Sequence, residues 1–212
     1  MSIVALLTVM AGFLSLVCLL ALHLMSPEFK PSWRMVSEYA NGQHKWILTL
    51  FFLLWGICSI LCAALLWNQV SSIWASIGVV LVFITGIGAI FGGLFDVNHK
   101  LHGVAFGLGV PFLPIGALLV SYHLVKLSSW NEHQSQLLIS AHAIWISLVL
   151  MAFSMMLLFS GFKKAAIPFG PNIAPPEALP PGVIGINGYM NRILIIVYIL
   201  WCVFIAKIYL TF

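Results

Sequence analysis

The sequence predicts an all-α, polytopic transmembrane bundle of six helices, and three observations carry that prediction. Of 212 residues, 62% are apolar and 7% are charged, against about 25% charged in an ordinary soluble domain. With a mean hydropathy of +1.11, the chain has too few charges to coat a water-facing globule. The apolar residues fall in six stretches, each near the roughly 20 residues a helix needs to cross hydrocarbon. These stretches are continuous and lack the alternation of a β-barrel. Spans at about 3–25, 46–67, 73–95, 104–125, 137–160 and 192–210 leave one transmembrane domain over residues 1–212 and almost no soluble part.

The first span lacks a basic n-region and a clean small-residue cleavage site, so it reads as a retained helix rather than a leader. A polar loop follows, with Ser-Pro-Glu-Phe-Lys-Pro and then Val-Ser-Glu-Tyr-Ala-Asn-Gly. The second span is flanked by Trp46 and Trp67, at the depth where tryptophan favours the interface. The third ends in Asp96-Val-Asn-His99-Lys-Leu-His102-Gly. Gly88 and Gly92, and likewise Gly103 and Gly107, stand four apart, which predicts a close-packing face on each of the third and fourth spans. Pro111 and Pro114 predict a kink in the fourth. The loop before the last span holds six of the ten prolines, and its Pro-Pro pairs favour extended backbone lying over the bundle end.

Six spans put both termini on one face. The opposite face then carries Lys30, Arg34, Lys45, Lys100, Lys163, Lys164 and Arg192, against Lys126 and Lys207 on the terminal face. Seven basic residues against two suggests that the loop-rich face is cytoplasmic. Glu28, Glu38, Asp96 and Glu177 share that face, so the basic residues are also candidates for a site. Scattered basic residues and no soluble module exclude a nucleic-acid partner; membrane lipids are the partner expected. Cys18, Cys58, Cys62 and Cys202 all lie in apolar runs and read as packing residues, with no disulfide framework.

The rare polar groups are concentrated. Ser37, Glu38, Tyr39, His44, Asp96, His99, His102 and Arg192, with His23, fall at one end of the bundle. Ser37, Glu38, Tyr39, Asp96, His102 and Arg192 are the candidate ligand-binding residues. Arg192 is suited to a bidentate clamp on an anion, or to a structural ion pair with Glu38 or Asp96. Asp96, His99 and His102 are metal-ligand types, which keeps open a metal-dependent intramembrane hydrolase, although their spacing matches no specific metal motif. On the terminal face, His123 and His142 are residue types that ligate haem from neighbouring helices. A purely structural bundle accounts for the same residues without any ligand.

Three stretches, Val36-Ser-Glu-Tyr-Ala-Asn-Gly-Gln-His-Lys-Trp46, Phe95-Asp-Val-Asn-His-Lys-Leu-His-Gly103 and Gly188-Tyr-Met-Asn-Arg192, resemble the DUF998 family. These are six-helix prokaryotic membrane proteins of uncharacterised function, distantly similar to the Frag1/DRAM/Sfk1 membrane proteins. Ser37, Tyr39 and Gly42 match the family's Ser-x-Tyr-x-x-Gly segment. Asp96, His102, Gly188 and Arg192 match its acidic residue, histidine and Gly-x-x-x-Arg; the long Pro-rich loop departs from the pattern. The resemblance implies the fold and a prokaryotic inner membrane, and it implies no activity. The leading expectation is a polar pocket at one bundle end that handles a lipid head group or a small anion, with no cofactor. Enzyme, transporter and sensor stay open, as does the oligomeric state.

Overall fold

The computed structural model describes residues 3–168, 176 and 178–211. Among these the structure is helical: α1 (Ile3–Met25), α2 (Lys45–Trp67), α3 (Ile73–Leu94), α4 (His102–Gly109), α5 (Phe112–Leu124), α6 (Gln134–Lys164) and α7 (Asn187–Tyr209), with 3-10 turns at Val36–Asn41 and Ser128–His133. α4 and α5 together make one span, so six helical segments are long and apolar enough to cross a membrane. The chain is a multi-pass membrane protein.

Each helix packs on its chain neighbours, and α7 returns to α1 to close a ring. α7 also packs on α2 across the middle, which is why Leu194, Tyr198, Ile199 and Cys202 are all buried. At the terminal face the start of α1 and the ends of α2 and α7 meet through Ala5, Leu65 and Ala206, and the Tyr209 hydroxyl donates to the Leu65 carbonyl at 2.6 Å. Lipid offers helices no hydrophobic drive to associate, so close packing and polar bonds must hold the ring together. Ser15 donates to the Phe51 carbonyl, Thr49 to Gly93 and Thr85 to Gly109, while the Trp201 indole donates to Ser121.

Glycines set the closest approaches. A Cβ on Gly88 would stand 2.5 Å from the Gly109 nitrogen, and one on Gly56 would stand 2.6 Å from the Gly86 carbonyl oxygen. The packing face expected on the fourth span through Gly103 and Gly107 is not there: both face open space, and Gly109 and Gly116 make the approach to α3 instead. Gly92 has only ordinary contact with Phe52. A four-residue spacing fixes that two glycines share a face, not which neighbour that face meets.

Other boundaries also moved. The fourth span is interrupted at Val110-Pro111, where proline removes a backbone donor and crowds the preceding turn. α6 has 31 residues, or about 46 Å at 1.5 Å per residue, well beyond a hydrocarbon core of about 30 Å. Its projecting end, with Leu158 and Phe162, packs on Trp33 and Val183 in a small second core. α7 starts at Asn187 rather than Arg192, so Gly188-Tyr-Met-Asn-Arg192 belongs to its first turns. Of the Pro-rich loop, residues 169–175 and 177 lie outside the described residues, and with them Pro175, the first residue of one Pro-Pro pair, and Glu177.

Candidate functional site

The first turns of α7 hold the loop that joins α1 to α2. A helix start has backbone N–H groups without intrahelical partners, and here the loop supplies acceptors. Gly188 and Tyr189 amides donate to the Ser32 carbonyl at 2.9 and 3.3 Å, and the Asn187 side-chain amide donates to the Trp33 carbonyl at 2.9 Å. Arg192 Nη1 donates to the carbonyls of Pro31, Arg34 and Gly188 at 3.3, 2.6 and 2.9 Å. Four successive carbonyls, of residues 31 to 34, therefore face one helix start. Asn191 closes the clamp by accepting the Val36 amide at 3.0 Å. Gly188 is required at this point, because a Cβ there would sit 2.5 Å from the Pro31 oxygen.

Arg192 is 5% exposed, and its remaining donors go to neutral groups. Nε donates to His23 Nε2 at 2.6 Å and Nη2 to the Tyr39 hydroxyl at 3.2 Å. His23 Nδ1 faces the Leu19 carbonyl, which only accepts, so the ring carries its proton on Nδ1 and receives Arg192 on Nε2. The ion pair expected between Arg192 and Glu38 or Asp96 does not form, because each acid has a nearer cation. Glu38 pairs with Arg34 at 2.6 Å, one turn away, and its other oxygen accepts the Met35 amide at 2.7 Å. Asp96 pairs with Lys45 at the start of α2. The Lys45 hydrogen bond, helped by the Asn98 amide, holds the Asp96 carboxyl below the ordinary carboxylate range despite some desolvation.

Asp96, His99 and His102 do not converge as a ligand set. The segment between α3 and α4 is a run of turns rather than a helix, so spacings of three do not place the residues on one face. His99 is exposed and stacks on Phe95 at 4.8 Å, and His102 Nδ1 bonds the Phe95 carbonyl at 2.9 Å. Among the described residues no three His, Cys, Asp or Glu side chains gather where they would hold an ion. The haem pairing fits no better. His123 contacts the Ser71 amide and Ser72 hydroxyl at 3.4 Å, while His142 contacts Tyr122 at 3.0 Å and Trp145 at 2.8 Å. Each nitrogen of the two rings thus has a protein contact of its own.

Beneath the clamp lies a narrow cleft with a cavity volume of about 70 Å³, part of it open to the outside. Its walls come from α2 (Phe52, Trp55), α3 (Gly88, Ala89, Gly92), α4 and α5 (Ala105, Phe106, Leu113) and α7 (Leu194, Ile195). At its upper rim stand Ser37, His102 and Asn191. The broken fourth span explains the opening: α4 packs on α3, whereas α5 also reaches α6. Of the candidate residues, Ser37 and His102 thus meet on the cleft, and Tyr39 and Arg192 meet inside the clamp. Glu38 and Asp96 sit in separate ion pairs. Asn191, Trp55 and Phe52 carried no readable signal, since an asparagine in a helical motif and aromatics in an apolar run look like packing. Neither the curated proteins nor the solved structures contain a match to this chain. A family profile, that of the proteins of unknown function called DUF998, does match it, over residues 9–207, and the chain belongs to that family.

Proposed function

We propose that this protein binds an amphipathic membrane lipid, with the apolar part in the cleft and the polar end at Ser37, His102 and Asn191. The observation that carries the reading is the composition of the wall. Apolar groups line the depth, neutral polar groups line the rim, and no Lys, Arg, Asp or Glu is among the lining residues. A buried wall of this kind rewards a chain, because each buried CH₂ is worth about 0.8 kcal/mol. His102 donates from Nδ1 to the Phe95 carbonyl, so Nε2 is the ring nitrogen left for a polar group of the ligand. Asn191 spends its oxygen on Val36 and has only a weak contact, at 3.6 Å, from its amide to the Met151 sulfur. A small anion is the poorer occupant, since the buried guanidinium of Arg192 is turned to loop carbonyls.

The setting belongs to the same proposal: a prokaryotic inner membrane, with the clamp face cytoplasmic. Arg34, Lys45 and Arg192 are tied up in structural contacts, so the charge bias that supports this orientation rests on Lys30, Lys100, Lys163 and Lys164 against Lys126 and Lys207. The test is lipid retention. Protein purified in mild detergent should carry lipid near one molecule per chain, measured by extraction and mass spectrometry. Ala105→Phe, which fills the cleft, should lose most of it while keeping its helical circular dichroism. Equal retention by the variant, or none by the parent protein, overturns the reading.

A further inference from the structure

A second cavity opens on the clamp face, and none of its lining residues belongs to the cleft. Its volume is about 320 Å³, roughly ten times the share of one water molecule in the liquid. Met25 lines it from the end of α1, Glu28 and Phe29 from the loop, and residues 41–44 from the approach to α2. The wall is fixed by bonds of its own. The Gly42 amide donates to the Tyr39 carbonyl at 3.0 Å, His44 Nδ1 contacts Ser26 Oγ at 3.3 Å, and Asn41 Oδ1 accepts the Asn98 side-chain amide at 2.8 Å. A Cβ on Gly42 would stand 2.8 Å from the Phe29 ring and 3.5 Å from Glu28 Oε1. Glycine therefore keeps the cup open, and a carboxylate oxygen stands against its wall.

The charge of the cup is one-sided. Glu28 is the acid among its lining residues, and no Lys or Arg lines it. Glu38 and Asp96 on the same face have cations of their own, whereas the Glu28 side chain has neither an ion pair nor a hydrogen bond among the described residues. A carboxylate with free lone pairs takes N–H donors that carry positive charge. The depth of the cup suggests where they come from. Met25 closes α1 and His44 precedes α2, and Leu24 and Trp46 beside them are exposed, as side chains are at the level of the lipid head groups.

We infer that this cup binds a primary ammonium group, with Glu28 as its anionic partner and Gly42 as the residue that leaves room for it. The inference is independent of the lipid proposed for the cleft. Two sources carry such a group: a phospholipid with an aminoethyl head, and a free amine in the aqueous phase. A trimethylammonium head has no N–H to donate and is the control.

The experiment follows the Gly42 amide signal by nitrogen-15 NMR of the full chain in a neutral maltoside detergent. Dihexanoyl phosphatidylethanolamine, dihexanoyl phosphatidylcholine and free ethanolamine are titrated separately. The ethanolamine lipid should move the signal at about fivefold lower concentration than the choline lipid, as expected of one solvent-accessible charge pair. Glu28→Gln, a change at an exposed side chain, should abolish that preference. Ala105→Phe, which fills the cleft, should leave it intact. A matching response to free ethanolamine identifies a soluble amine as sufficient; no response to it identifies the lipid head group. Equal response to both lipids, a preference that survives in Glu28→Gln, or no movement with any probe overturns the inference and leaves the reading of the cleft untouched.

Discussion

Arg192 is a buried cation whose neighbours are carbonyls, an imidazole and a phenol. Taking a charge out of water is expensive unless dipoles replace the lost hydration. Here the oxygens of Pro31, Arg34 and Gly188 do so, and in return the loop is pinned. A flat fork with five donors suits this work; an ammonium does not. Arg192→Met should therefore lower thermal stability by about 3 kcal/mol, and Arg192→Lys should recover little of it. Double-mutant cycles by thermal unfolding in detergent should show coupling to Tyr39→Phe of about 0.5–3 kcal/mol. Asp96→Asn and Glu38→Gln should add to Arg192→Met without rescue. Rescue by either acid change would mean that the guanidinium faces a carboxylate. The sequence brought these charges to the correct bundle end, but it could not say which acid meets which cation. That depends on local reach: Arg34 is one turn from Glu38, and Lys45 lies beside Asp96 where α2 and α3 meet.

At the scale of elements, the helices were legible because hydropathy over some 20 residues needs no partner to be read. What the elements do to each other was less so. Gly88 approaches the Gly109 backbone, whereas Gly107 faces open space, and nothing in Gly-x-x-x-Gly distinguishes them. Gly88→Leu should cost about 1–3 kcal/mol through overpacking, and Gly107→Leu should leave the melting temperature nearly unchanged; equal losses in a detergent thermal-shift assay would contradict the packing of α3 on α4. The start of α7 was hidden for a related reason. Ile186 offers no side-chain cap, and the acceptors come from Ser32 and its neighbours, far away in the chain. Read locally, Gly188 marks the end of a loop; in the structure it lets a loop lie against a helix. The interruption of the fourth span, by contrast, follows from Pro111 itself.

For the whole molecule, the ring of helices, the clamp and the cleft form one arrangement. α7 closes the ring and packs on α2, its first turns fix the segment that carries Met35, Val36 and Ser37, and that segment lines the same cleft as Trp55 and Leu113. The broken fourth span leaves α4 leaning on α3 and the cleft partly open, with Phe106 43% exposed beside it. Ser37 and His102 were legible as candidate residues because polar side chains are rare in this chain. The apolar walls were not, since a leucine lining a cleft reads like one facing lipid. The exposed apolar faces, such as Phe13 and Val17 of α1, need no partner beyond the bilayer. Photolabelling tests most directly whether lipid occupies the cleft as well as surrounding the bundle. A lipid with a diazirine in its chain, activated in membranes containing the protein, should label peptides bearing Leu113, Leu194 and Ile195 in addition to the outer faces, and Ala105→Phe should remove that inner labelling. Labelling confined to outward residues such as Phe13 and Val17, unchanged by Ala105→Phe, would contradict the account.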